Sequence, residues 1–111
     1  MEGLKRGDIV AIALSGDYGK PRPALVIQDD AFAILDSTTV LLITSDIYEL
    51  PLLRISVHPT RKNGLRRLSQ VMIDKAMTVP SAKLGQHIGH VDDAVMKSVS
   101  AALSRFLGLG G

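Results

Sequence analysis

The chain has 111 residues, of which 46% are hydrophobic and 22% charged, with a formal charge of +2 and no cysteine. This composition specifies one globular domain, residues 1–111, with a single modest core. It excludes intrinsic disorder, a disulfide scaffold and thiolate zinc sites, and it fits a reducing, cytoplasmic setting. Although the pI is about 9.2, the small net charge gives no strong bulk attraction to nucleic acid, so a polyanion site requires local clustering. No apolar run approaches the roughly 20 residues needed to span a bilayer. The opening MEGLKRGDIV reads as the approach to a strand rather than as a signal peptide.

Gly7 to Leu14 (GDIVAIAL) is short, apolar and bounded by turn signals, which predicts a buried strand. A loop follows from Ser15 to Pro21, and a second strand, PALVIQ, is expected to start at Pro23, where proline is tolerated. AFAIL reads as a helical turn or a loop. STTVLLITS, Ser37 to Ser45, is β-branched and continuous, predicting a central strand buried on both faces. Leu53, Ile55 and Val57 alternate with Arg54, Ser56 and His58, the pattern of a strand with one wet face. PTRKNGLRR reads as a tight reversal around Asn63-Gly64, and LSQVMIDKAMTV as a strand ending near Pro80-Ser81.

Only the C-terminus has a helical period. Val95, Met96, Val99, Ala102, Leu103, Phe106 and Leu107 form one apolar stripe, with Asp92 as N-cap and Gly108 as the C′ residue. Several strands followed by one amphipathic helix predict a small, strongly bent antiparallel sheet or barrel packed on that helix.

Familiar hydrolase, nucleotide and metal signatures are absent, and His58, His87 and His90 have no metal-ligand spacing. Two basic features remain. Arg54, His58, Arg61, Lys62, Arg66 and Arg67 bracket the Asn63-Gly64 turn, either as a solvated hairpin tip or as a phosphate-binding rim. Arg22 stands between Pro21 and Pro23, which stiffen its backbone. Its guanidinium is either a bidentate phosphate clamp or one half of a surface ion pair.

The ordered series GDIV, RPALVIQDD, VLLITS, SQVMIDKAMTV and KLGQHIGHVDDAVMKSVSAAL, closed by LGL, resembles the MazF/PemK/Kid family of toxins from Lys5 to Leu109. The resemblance implies a mainly β, SH3-like or CcdB-like barrel with a C-terminal helix, usually assembled as a homodimer. It implies a metal-independent endoribonuclease that needs no cofactor, cuts single-stranded RNA at short sequences, and is neutralised by a cognate antitoxin protein. By position, Arg22 matches the family's catalytic arginine, Thr44 its active-site threonine, and Asp74 an aspartate assigned as general base in some members. Base recognition falls to Asp17, Tyr18 and Lys20 in the first loop and to the rim at Ser45 and Gln70, with Tyr18 either stacking on a base or covering its own loop.

The chain also departs from the family pattern. The first loop reads SGDYGKP, and Met77 and Met72 occupy positions where members carry arginine. Two alternatives accompany the ribonuclease reading: a CcdB-like toxin that binds gyrase, and a non-catalytic SH3-like binding module. The first uses a tryptophan-containing tail in its known members, whereas this chain has no tryptophan and ends LGLGG.

Overall fold

Segments rich in valine, isoleucine and leucine favour extended backbone that pairs with its neighbours. The computed structural model, which describes residues 3–13 and 20–110, contains six such strands and one helix. The strands are β1 (Asp8–Ala13), β2 (Pro21–Val26), β3 (Ser37–Thr44), β4 (Arg54–Val57), β5 (Ser69–Pro80) and β6 (Leu84–His90), followed by α1 (Asp93–Phe106). AFAIL resolves into a single 3₁₀ turn, Asp30–Phe32, whose entry is capped by the Asp29 carboxylate on Ala31 N–H. All pairings are antiparallel, and the sheet order is β4-β5-β3-β2-β1-β6.

β3 is covered on both faces, as its unbroken apolar run requires. Leu41 and Ile43 join Ile9, Leu25, Val71 and Ile73 in the core beneath α1, where Val99 is fully buried. Val40 points the other way, into a second cluster with Val10, Ile12, Ala24 and Val26, which the half-buried Leu84 and Met77 flank. The helix follows its sequence signals. Asp92 accepts from Val95 N–H at 3.0 Å, and Gly108 adopts φ +71° as Leu109 N–H closes back on Ser104 C=O. Phe106 and Leu107, which extend the apolar stripe in sequence, are exposed.

Two features differ from the sequence reading. β6 was not foreseen, its seven residues holding only two apolar side chains, Leu84 and Ile88; backbone pairing with β1 and close approaches at Gly85 and Gly89 add to their packing. The Asn63-Gly64 segment is no tight hairpin either, since residues 58–68 form a longer connection between β4 and β5. Asn63 is buried, and its side-chain oxygen accepts from Thr60 and Leu65 N–H while its amide donates to His58 C=O. This loop reaches the opposite edge of the sheet, where His90 N–H donates to Lys62 C=O at 3.0 Å. The sheet is therefore curled towards a barrel and fastened by a loop rather than by a β4–β6 ladder.

Asp8 fastens β1 to β6. It is buried and accepts from Lys5 N–H at 2.8 Å and from His90 Nδ1 at 2.8 Å, with His87 Nε2 at 3.4 Å. Burial pushes its carboxyl up, but the Lys5 N–H and then the two histidines outweigh that, and the net pKa lies below the ordinary carboxylate value.

Two stability tests follow. Gly64 has φ +70°, and a Cβ there would lie 2.3 Å from Ile88 C=O, whereas Gly108 has φ +71° with open space around it. Gly108→Ala should therefore cost only the left-handed backbone penalty, about 1–2 kcal/mol, and Gly64→Ala clearly more, with a melting temperature lower by roughly 10 °C or beyond. Thermal melts of the two variants showing equal losses would contradict the loop-fastened closure. For Asp8, a depressed folded-state pKa stabilises above the unfolded value of about 3.9 and is lost as pH falls through the folded value. Asp8→Asn should thus destabilise most at neutral pH, and its gap from wild type in urea unfolding should shrink steadily below about pH 4.

Candidate active site

Arg22 lies inside β2, because that strand begins at Pro21 rather than at Pro23. Its backbone pairs with Ile12 of β1, and its side chain is exposed. On the other side, β2 pairs with β3 at Val26↔Val40, Leu25↔Leu41 and Ala24↔Leu42. Continuing that register by two residues sets Arg22 opposite Thr44, on the same face. Thr44 pairs with Gln70 of β5, and Gln70 with Ser56 of β4. Arg22, Thr44, Gln70 and Ser56 thus form one row across four adjacent strands, at about 4.8 Å per step.

The prolines have a definite effect on this row. Ile27 N–H donates to Thr39 C=O of β3, whereas Val26 C=O accepts from Gly7 N–H on the β1 side. Alternation then directs the backbone of residues 25, 23 and 21 towards β3. Pro23 and Pro21 have no N–H to offer there. The β2–β3 ladder stops at Ala24↔Leu42 for that reason, and the two strands are unlaced where Arg22 faces Thr44.

Thr44, half-buried at the end of β3, has its Oγ1 fixed by Asp46 N–H at 3.0 Å. A hydroxyl has one donor and two acceptor positions, so this bond leaves its proton to give away. Gln70, only 5% exposed, is fully engaged. Its Oε1 accepts from Tyr48 N–H at 3.1 Å and from Arg54 Nη1 at 3.3 Å, and its Nε2 donates to Tyr48 C=O at 3.0 Å. Gln70 therefore holds the segment after β3 rather than presenting its amide to solvent. Arg54 also donates to Asp46 C=O at 3.4 Å, and its guanidinium lies over the Tyr48 ring, 5.3 Å from the centroid.

The other expected residues are scattered. Lys20, two residues before Arg22, and Ser45, directly after Thr44, are exposed, while Asp17 and Tyr18 lie outside the described residues. Asp74 is partly buried on the irregular part of β5, between the Val71 and Ala76 pairings with β3, and it pairs with Lys75 at 3.5 Å. Four residues separate it from Gln70, about 13 Å along the strand. Met72 faces Arg54 across β4–β5, and Met77 flanks the second apolar cluster. The basic residues Arg61, Lys62, Arg66 and Arg67 are exposed along the fastening loop. Sequence reasoning missed Tyr48 and the separate role of Arg54, since a link between YELP and Gln70 exists only once the strands are paired. No cluster of three or more metal-ligating side chains occurs among the described residues.

Residues 5–107 match the PemK-like, MazF-like toxins of type II toxin–antitoxin systems. The chain belongs to this family. It is 44% identical to a probable endoribonuclease MazF of Mycolicibacterium smegmatis, over 97% of this chain and all of that protein. It is 31% identical to the endoribonuclease EndoA of Bacillus subtilis, over 96% of each chain. Among solved structures, a mycobacterial endoribonuclease in complex with its cognate antitoxin superposes with a TM-score of 0.83 at 22% identity, covering 97% of this chain and 98% of that one. A MazF toxin of Mycobacterium tuberculosis gives 0.79 at 26% identity, covering 94% and 99%. The six-stranded sheet with its C-terminal helix is thus the fold of MazF toxins.

Proposed function

We propose that this chain is the toxin of a type II toxin–antitoxin pair, an endoribonuclease that cuts single-stranded RNA, messenger RNA among its targets, at short sequences. The observation that carries the reading is the register that sets Arg22 across from Thr44 at the unlaced end of β2 and β3. Family membership and two relatives that are endoribonucleases support it, and the same relatives disfavour the gyrase-binding alternative. Retention of both Arg22 and Thr44 argues against a non-catalytic module.

The chemistry follows from the substrate. RNA carries its own nucleophile in the ribose 2′-hydroxyl, so the protein needs only to align it, accept its proton and stabilise a dianionic phosphorane. Arg22 grips the non-bridging oxygens with its planar guanidinium. Thr44, whose Oγ1 already accepts from Asp46 N–H, donates a hydrogen bond to the same phosphoryl group. Attack by the 2′-oxygen breaks the bond to the 5′-oxygen, which takes a proton from water, giving a 2′,3′-cyclic phosphate and a 5′-hydroxyl without a metal-bound water. The row holds no carboxylate or imidazole, so this reading assigns the eventual proton acceptor to Asp74, reached through intervening water because about 13 Å of strand separates it from Gln70.

RNA binding draws on Lys20 and Ser45 beside the row, and on Asp17 and Tyr18. The protein acts in the cytoplasm, where its substrate is made and where a chain with no cysteine is at home. No helix among the described residues is long and apolar enough to cross a membrane. A cognate antitoxin holds the toxin inactive, as a related mycobacterial endoribonuclease is found in complex with its own. The active form is a homodimer, as the family resemblance implies.

Mixed single-stranded RNA incubated with the purified chain in excess chelator tests the enzyme directly. Wild type should cut, and Arg22→Ala and Thr44→Ala should each slow cleavage by about 10²–10³-fold, the usual cost of removing one transition-state donor. Intact RNA with folded, antitoxin-free wild type would overturn the reading.

A further inference from the structure

A groove of about 470 Å³ opens beside the Arg22–Thr44–Gln70 row, lined by Ile47, Tyr48, Glu49, Leu50, Pro51 and Arg54. Ser56 and Gln70, both members of the row, border it as well. We propose that this groove is a nucleobase subsite, which takes the base of single-stranded RNA next to the scissile phosphate and sets part of the sequence preference. The proposal rests on the ribonuclease reading and deepens it.

The groove is built rather than incidental. Gln70 binds both backbone groups of Tyr48, and Thr44 binds the amide of Asp46, so the stacking segment and the reacting row share one hydrogen-bond network. Hydrogen bonds to Asp46 C=O and Gln70 hold Arg54 over one side of the Tyr48 ring. Its Nε is sealed from solvent with no hydrogen-bond partner among the described residues, and such a group is seldom retained without a use. The two Gln70 bonds fix the backbone of Tyr48, while Tyr48 itself stays 59% exposed. A rigid aromatic ring held half in water beside a phosphate clamp is a stacking platform.

The lining also selects among ligands. Arg54 and Glu49 offset one another, and Ile47, Leu50 and Pro51 supply apolar wall. A phosphate would meet the Glu49 charge. A base offers a neutral aromatic face together with donor and acceptor edges, which suit a wall bearing both charges. The chain has only two tyrosines and two phenylalanines, so a platform this close to Thr44 carries much of the capacity for stacking.

The test uses the full chain on a random-sequence RNA pool, with cut sites mapped by sequencing the new ends and kcat/KM measured on the best oligonucleotide. Wild type should favour particular bases at one position beside the cut. Tyr48→Leu, which keeps apolar bulk, should flatten that position and lower kcat/KM at least 10-fold, mainly through KM, while Tyr48→Phe keeps the preference. Arg54→Lys, which keeps the charge but loses the forked hydrogen bonds to Asp46 and Gln70, should flatten it too, and thermal melts of each variant separate lost fold from lost recognition. Unchanged cut sites and kinetics in Tyr48→Leu overturn the subsite and leave the ribonuclease reading standing. A uniform loss over all sequences, with the preference kept, indicates a phosphate contact and also overturns it. Failure of wild type to cut any RNA in the pool removes both readings.

Discussion

Two missing N–H groups organise this molecule. Pro21 and Pro23 both direct their backbone nitrogens towards β3, so neither donates a hydrogen bond to the β2–β3 ladder. In a central strand this is a local loss of pairing, and it falls where Arg22 stands across from Thr44. The other side of β2 remains fully paired with β1, through Ile12↔Arg22 and its neighbours. Arg22 is thereby carried on a strand anchored along one edge and open along the other. A phosphate placed there meets a guanidinium with a stiff backbone and a hydroxyl whose lone pair is already occupied. Such preorganisation lets a small domain stabilise a transient dianion without a metal-bound nucleophile.

The rest of the fold keeps that opening in place. β3 is buried on both faces and paired on both sides, so Thr44 leaves the most constrained strand of the sheet. Gln70 continues the row and fixes the segment carrying Tyr48, which couples chemistry to a surface suited to bases. Curvature comes from the irregular middle of β5 and is fastened at the far edges by the Asn63 loop against β6 and by Asp8 between β1 and β6.

Much of this was legible in the sequence. STTVLLITS declared a strand buried on both faces, and the 3.6-residue stripe with Asp92 and Gly108 declared the helix with both its caps. Pro-Arg-Pro marked Arg22 as constrained, although the reason was misplaced: the prolines sit within the strand and act by removing donors towards one neighbour, which only the register reveals. LGQHIGH was illegible because only Leu84 and Ile88 pack, and backbone pairing and glycine contacts supply the rest of its hold. Gln70 and Tyr48 stand 22 residues apart, and no local pattern signals a side chain whose work is to hold a distant loop. Asn63-Gly64 misled for the opposite reason, since a dipeptide typical of tight hairpins here fastens two edges of a sheet.

The central claim is that Arg22 and Thr44 act as one unit on one phosphoryl group, and a double-mutant cycle on RNA cleavage tests it most directly. Residues that act as a unit are strongly non-additive. The account predicts that Arg22→Ala with Thr44→Ala cuts RNA about as slowly as the slower of the two single variants. Losses that multiply, so that the double variant falls by the product of the single effects, would contradict it.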